Sequence, residues 1–236
     1  MNIVLLRVGI DIGIGGIHGP LFRDGTFEFI PIPVDGHERT YGEIIGVHGK
    51  PLITYFPQAL QGRFYGQTVH EDPDFRRFCY GDLGFGPKRG LRKLRRNDIL
   101  LFYCGLEGWK FKRPYDLYIV GYFEVLAAGM VADLSQEDFA KYFKAHVDVK
   151  TRSLFRENNG TMILIKGTAN SRLLKKAVRL SCNGKDRAGR SLKVLSPKMQ
   201  KVFGDWGGKI GIQRSTPRWV QSDHVKRAYD FVKSMK

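Results

Sequence analysis

Residues 68–82 read TVHEDPDFRRFCYGD and place His70, Asp72, Asp74 and Asp82 within thirteen positions, around Pro73. An imidazole changes charge near neutral pH, and carboxylates accept protons or ligate hard cations. Such a cluster suits general acid/base catalysis or a divalent metal site. Asp on either side of a proline is equally ordinary turn chemistry, and His70 can simply bond a backbone group. The stretch offers no complete ligand set, so metal and cofactor stay open.

Another carboxylate, Asp11, ends an apolar run in VGIDIGIGG (8–16), ahead of clustered glycines. Two phosphate-loop patterns fail here by one residue each. A dinucleotide fingerprint spaces its glycines at positions one, three and six, but after Gly13 and Gly15 the sixth position holds His18. A loop resembling the DxGT of actin-like ATPases needs a hydroxyl where Ile14 stands. No GxxxxGK[ST] occurs anywhere in the chain, which makes an actin-like small-molecule kinase a remote reading. Asp11 and His18 can still serve a pocket as proton-transfer groups, because glycine lets a ligand approach the backbone closely.

Three stretches mix basic and aromatic residues: KRGLRKLRR (88–96), YCGLEGWKFKRPY (103–115) and GIQRSTPRWV (211–220). Arg and Lys pair with phosphates while aromatic faces stack on unpaired bases. The expected phosphate contacts are Arg92, Arg95, Arg96, Lys166, Arg172, Lys175, Arg214 and Arg218, with Ser215 beside them. Tyr103, Trp109 and Trp219 are the expected stacking faces. Aromatics of this kind also commonly belong to a core or a hairpin packing.

Charge placement strengthens the nucleic-acid reading. The net charge is +16, and all of the excess lies in residues 150–236, which hold 21 Lys/Arg against 5 Asp/Glu; residues 1–149 hold 18 of each. A one-sided basic surface attracts polyanions and releases their counterions on binding. Nucleic acid is therefore the expected partner, DNA ahead of RNA. Anionic membrane is second, and a merely solvated face is the bland alternative.

The elements that must position these groups follow from patterning. With 236 residues and 42% hydrophobic content, the chain can bury a sizeable core, and we read 1–236 as a single domain. The opening MNIVLLRVGID is too short and too charged for a signal segment, and no stretch approaches 18 apolar residues. The expectation is a cytoplasmic protein with no membrane span. Cys79, Cys104 and Cys182 lie far apart, so reduced and mostly buried thiols are expected. NIVLLRVGI, PLF and FEFIPIP read as short strands, with a turn at RDGT and an edge or loop at Pro31 and Pro33. ILLFYCG and LYIVGYFEVLAA, apolar on both faces, read as central antiparallel neighbours, and TMILIKG as a further strand. Helices are expected at LITYFPQALQ, at SQEDFAKYFK with a Ser cap, at NSRLLKKAVRL after Asn170, at SPKMQKVFG, and at SDHVKRAYDFVKSMK capped by Ser222 or Asp223. The sum is an α+β fold with a mixed, mainly antiparallel central sheet and short helices around it.

Six blocks together resemble the third nucleotide-modification-associated domain family: RVGIDIGIGGIHGPLFRDGTFEFIPIP, HEDPDFRRFCYGD, LRRNDILLFYCGL, YIVGYFEV, IKGTANSRLLKKAVRLS and GIQRSTPRWV. They extend from Arg7 to Val220. The resemblance implies business with DNA-modification systems of prokaryotes or phages, as a base-modification enzyme or as a reader of modified bases. It also gathers polar positions, adding Tyr80 and Ser171 to those named above. DILLFYCGL and YIVGYFEV are in addition similar to the central hairpin of PUA-like barrels, including the EVE and ASCH groups, which implies a barrel and a base-cradling sheet. The expectation carried forward is a DNA-associated protein that acts on, or recognises, a nucleotide or base in a pocket.

Overall fold

The computed structural model describes residues 1–10, 14–35, 38–144, 161–185, 188–214 and 216–235. In chain order the strands are β1 (Ile3–Arg7), β2 (Gly19–Leu21), β3 (Ile32–Pro33), β4 (Val69–His70), β5 (Cys79–Leu83), β6 (Ile99–Gly108), β7 (Asp116–Met130), β8 (Met162–Gly167), β9 (Arg172–Arg179), β10 (Ser181–Lys185), β11 (Ser191–Leu195) and β12 (Arg218–Trp219). The helices are α1 (Gln58–Phe64), α2 (Gln136–Asp138), α3 (Pro197–Phe203) and α4 (Val225–Ser234), and a 3-10 helix covers Gly86–Lys93.

The sheet grows from the β6–β7 hairpin, whose residues from Ile99 to Leu106 and from Leu117 to Phe123 are almost all buried. Asn97, at a φ of 71° that Asn tolerates better than most side chains, makes the turn into β6. Buried Asp98 fixes that turn by accepting the backbone N–H groups of Asn2 (2.6 Å) and Arg95 (2.9 Å). The strand path is β12–β1–β6–β7–β8–β5, with β2 also on β6 and β9 also on β7. Only β1 and β2 run parallel to their neighbour β6; the other pairings are antiparallel. The mixed, mainly antiparallel sheet is thus present. The PUA-like barrel is not: among the described residues the path runs open from β12 to β5.

Three local expectations are corrected. NSRLLKKAVRL is strand β9, not a helix. At fifteen residues, β7 leaves an edge beyond the reach of β8, and β9 pairs there from Tyr118 to Tyr122. Gly121 makes this possible, since a Cβ there would lie 2.7 Å from the Arg172 carbonyl and 2.4 Å from the Phe75 ring. LITYFPQALQ is split by Pro57 into a 3-10 turn at Leu52–Tyr55 and α1. Neither Ser222 nor Asp223 caps α4; both lie in a 3-10 turn, and His224 takes the cap position. The Ser135 cap does form, accepting from Asp138 N–H at 3.0 Å, although the helix then widens to π geometry at Phe139–Phe143. The β10–β11 hairpin has no counterpart in the pattern reading.

Three apolar clusters occur among the described residues, the smallest around Phe143, Met162 and Leu164. The largest one lines the sheet, α3 and α4; a second gathers Ile10, Ile17, Ile30, Tyr41, Leu52, Phe56 and Phe64 from residues 10–69. Buried Glu28 secures the second by accepting the backbone N–H groups of Val47 and His48, each at 2.8 Å. No helix among the described residues is long and apolar enough to cross a membrane.

Candidate functional site

A cleft of about 680 Å³ opens where the sheet path ends. One wall is β5, at the end of the path. The lining also takes in Arg7, Val8 and Gly9 at the end of β1, with Gln213, Arg214 and Thr216, which lead into β12. His70 of β4, Asp72 and Lys88 add further polar groups to the lining.

Two polar groups contribute to the lining. In the first, Tyr80 and Asp82 stand two residues apart on one strand face, as period-two geometry requires. The Tyr80 hydroxyl donates to Asp82 Oδ2, and Lys88 Nζ lies 2.9 Å from that same oxygen and 3.4 Å from the phenol oxygen. A carboxylate, a phenol and an ammonium thus share one corner. The Leu83 N–H fixes Asp82 from behind, donating to Oδ1 at 2.7 Å.

In the second, His70 Nε2 lies 3.3 Å from Asp72 Oδ2, which also accepts the Gly81 N–H at 2.8 Å. Asp72 is buried, its side chain only 1% exposed, while the imidazole of His70 is 15% exposed and borders the cleft. A buried carboxylate that holds an imidazole in one orientation is the usual support for a proton-transferring histidine. The β3–β4 pairing, Ile32 opposite His70, places that ring at the cleft wall.

The end of β1 and the segment 213–216 bring two arginines to the lining. Arg7 donates to the Tyr115 hydroxyl at 3.0 Å and to the Gln213 carbonyl. Arg214 is exposed, on a segment tied down by Tyr103, whose hydroxyl donates to the Ile212 carbonyl at 2.9 Å. Gly9 turns the chain past the cleft at a φ of +76°, and a Cβ there would lie 2.8 Å from the Phe29 ring.

Of the acid/base residues expected from the sequence, the fold brings His70, Asp72 and Asp82 to this cleft. Asp74 is two residues beyond Asp72, but its Oδ1 accepts the N–H groups of Arg76 (2.8 Å) and Arg77 (3.0 Å), closing a turn. His18 sits just outside: Nδ1 is 3.1 Å from Glu107 Oε2, and the ring stacks on Tyr115 at 4.2 Å, the same tyrosine that Arg7 contacts. Asp11 and Ser215 lie outside the described residues.

The expected nucleic-acid contacts scatter more widely. Arg214 lines the cleft, and Arg92 lines a hollow beside it. Arg95 and Arg96 are exposed, Arg95 being folded back onto the Arg92 and Leu94 carbonyls, both at 2.8 Å. Arg172 and Lys175 are exposed on β9, the former 5.8 Å from the Tyr122 ring. Lys166 donates to the Arg77 carbonyl. Arg218 donates to the Gly211 carbonyl at 3.0 Å, and half-buried Trp219 accepts from Trp206 on its carbonyl at 2.6 Å. Trp109 packs edge-on to Tyr55 at 5.4 Å. Tyr103 is fully buried, so its ring has no face for a base; burial also pushes its phenol pKa up.

Arg7 and Gln213 are the lining residues that pattern reading passes over. Arg7 reads only as a charge interrupting an apolar run; the usable signal is its place at the carboxyl end of a buried strand. Cys79 and Cys104 do not supply a nucleophile, because burial pushes their thiols up to about 11 and about 12. No group of three or more His, Cys, Asp or Glu that could hold a metal ion occurs among the described residues.

The comparisons agree with the extent of the resemblance. A family model described as nucleotide modification associated domain 3 matches residues 2–234. No curated protein and no solved structure matches the chain.

Proposed function

The chain belongs to the nucleotide modification associated domain 3 family, and from that premise we propose that it performs proton-transfer chemistry on a nucleotide of DNA held in the cleft. The observation that carries the proposal is the meeting of His70–Asp72 and Tyr80–Asp82 with Lys88, Arg7 and Arg214 around one space. Base chemistry calls for groups that give and take protons, and a nucleotide brings a phosphate that needs cations. Both kinds of group are at hand: Lys88 stands directly beside Asp82, and Arg7 and Arg214 line the same space. The volume suits such a ligand, since small-molecule clefts run from about 300 to 1,000 Å³.

In this reading Arg214 and Lys88 meet the phosphate of an extruded nucleotide, and the base lies toward β5. Asp72 orients the imidazole of His70, which takes or gives a proton at the base. Tyr80 and Asp82 exchange a proton on the adjacent strand face. Extrusion costs only a few kcal/mol, which backbone and stacking contacts offset.

A second reading draws on a specific observation. Asp82 is already bonded by Tyr80 and Lys88, and Asp72 by Gly81, an arrangement that equally suits a rigid pocket for recognising a modified base. One experiment separates the two. Native and unmodified DNA are incubated with the protein, digested to nucleosides and analysed by mass spectrometry. Catalysis predicts altered, new or released bases, and a loss of about 10² to 10⁴ in rate for His70→Ala and Asp82→Asn. Tight binding with unchanged nucleosides would leave recognition and refute catalysis.

A further inference from the structure

The cleft does not end at Lys88. Pro87 and Thr216 line both the cleft and a second hollow of about 420 Å³, whose charged lining is Arg89, Arg92 and Lys93. Lys93 in turn lines a third hollow of about 500 Å³ that reaches Trp219 and Ser222. Among the described residues no carboxylate lines either of the outer hollows. The three spaces thus adjoin in sequence through shared lining residues, with the 3-10 helix Gly86–Lys93 contributing to each.

That helix is built to face outward along this path of adjoining spaces. Leu91 is its buried anchor, whereas Arg89, Arg92 and Lys93 are exposed. Gly90 packs on the Trp219 indole, where a Cβ would stand 3.3 Å from Nε1, which seats the helix against the segment leading into β12. Phe85, 45% exposed and lying in sequence between cleft residues Leu83 and Pro87, offers an aromatic face next to the lining. Eight residues at about 2.0 Å rise give a track of about 16 Å, enough to reach several successive phosphates.

We infer that this path holds the polynucleotide strand on one side of the nucleotide in the cleft, so that the substrate is a strand and not a free nucleotide. The inference rests on the cleft reading above and adds which residues hold the flanking strand. Cations spaced along a groove, with an aromatic at its head, match a phosphate backbone with a stacked base. An anionic membrane has the charge but not the shape, because a broad flat surface cannot follow a concave path around a 3-10 helix.

The test compares a deoxynucleoside monophosphate with a twelve-residue oligothymidine by fluorescence-detected and calorimetric titration, over a salt series. The variants are Arg89→Ala/Arg92→Ala/Lys93→Ala and Phe85→Ala, with circular dichroism to confirm folding. The wild type is expected to bind the oligomer at least tenfold more tightly than the monophosphate. In the triple variant that advantage disappears, and the slope of log K against log salt becomes shallower by about 2, as removing three single-strand phosphate contacts requires. Monophosphate binding stays within about twofold in both variants. If the triple variant keeps the oligomer advantage and the slope, the strand path is wrong while the cleft reading stands. If the wild type binds neither ligand, both fail; anionic vesicles binding with the same slope change would give the path to a membrane instead.

Discussion

Asp72 and Asp74 share one loop and part company within two residues. Asp72 turns inward to His70 and the Gly81 N–H, whereas Asp74 turns back on the N–H groups of Arg76 and Arg77. Spacing alone does not separate them, because each satisfies its oxygens locally; the sorting comes from β5 supplying Gly81 opposite Asp72. Asp74→Asn is accordingly expected to lower the melting temperature while leaving nucleotide binding within about twofold, and Asp72→Asn to do the reverse. Gly9 makes a sharper case. Its positive φ and the Phe29 ring 2.8 Å from a new Cβ mean that Gly9→Ala strains the wall of the cleft. A loss of about 1–3 kcal/mol in denaturant unfolding is expected, together with weaker ligand binding. The thiols give an independent check on packing: Cys79 and Cys104 are buried and held as thiols, while Cys182 is half-buried. One fast-reacting equivalent is expected with a thiol reagent on the native protein, absent in Cys182→Ser.

At the scale of elements, α4 is fastened to the sheet by Lys233, whose ammonium lies 2.5 Å from Glu124 on β7. The hydrogen bond from Lys233 holds the Glu124 carboxyl below its ordinary 4.5, against some burial. Burial pulls the Lys233 ammonium down, but its bond and attraction to Glu124 outweigh this and leave it above 10.5. A carboxylate depressed in the folded state stabilises fully above about pH 4.5, and the benefit disappears as pH falls through its folded value. Wild type and Glu124→Gln should therefore differ by a constant amount near neutrality and converge in acid, as followed by urea midpoints at a series of pH values. The elements differ in how well the sequence announces them. ILLFYCG and LYIVGYFEVLAA are legible because burial on both faces leaves no other role for such runs. RLLKKAVR deceives, since its charges at 172, 175, 176 and 179 fit a helical face as well as an edge strand. Only the length of β7 and the close approach at Gly121 decide for a strand, and neither is local.

For the whole molecule, the site depends on the sheet staying open. His70, Asp72 and Asp82 are legible as a cluster because they are near in sequence. Arg214 is legible only as a phosphate contact and Arg7 not as a site residue, and their place beside that cluster is set by the tertiary fold. The excess of charge in residues 150–236 is real in sequence, yet much of it lies away from the cleft, on β9 and along α4. Most cations bordering the cleft and its path come instead from Arg7 and residues 88–93, in the balanced part of the chain. Weakening of DNA binding by salt is thus expected to persist, with its slope nearly unchanged, when Lys175 and Lys176 are both replaced by alanine. The most direct test of the cleft as the nucleotide site is photo-crosslinking of an oligonucleotide followed by peptide mapping. Adducts are expected on the tryptic peptide Phe78–Lys88, which carries Tyr80, Asp82, Phe85 and Lys88. Adducts confined to β9 or to α4, with Phe78–Lys88 unmodified, would contradict the account.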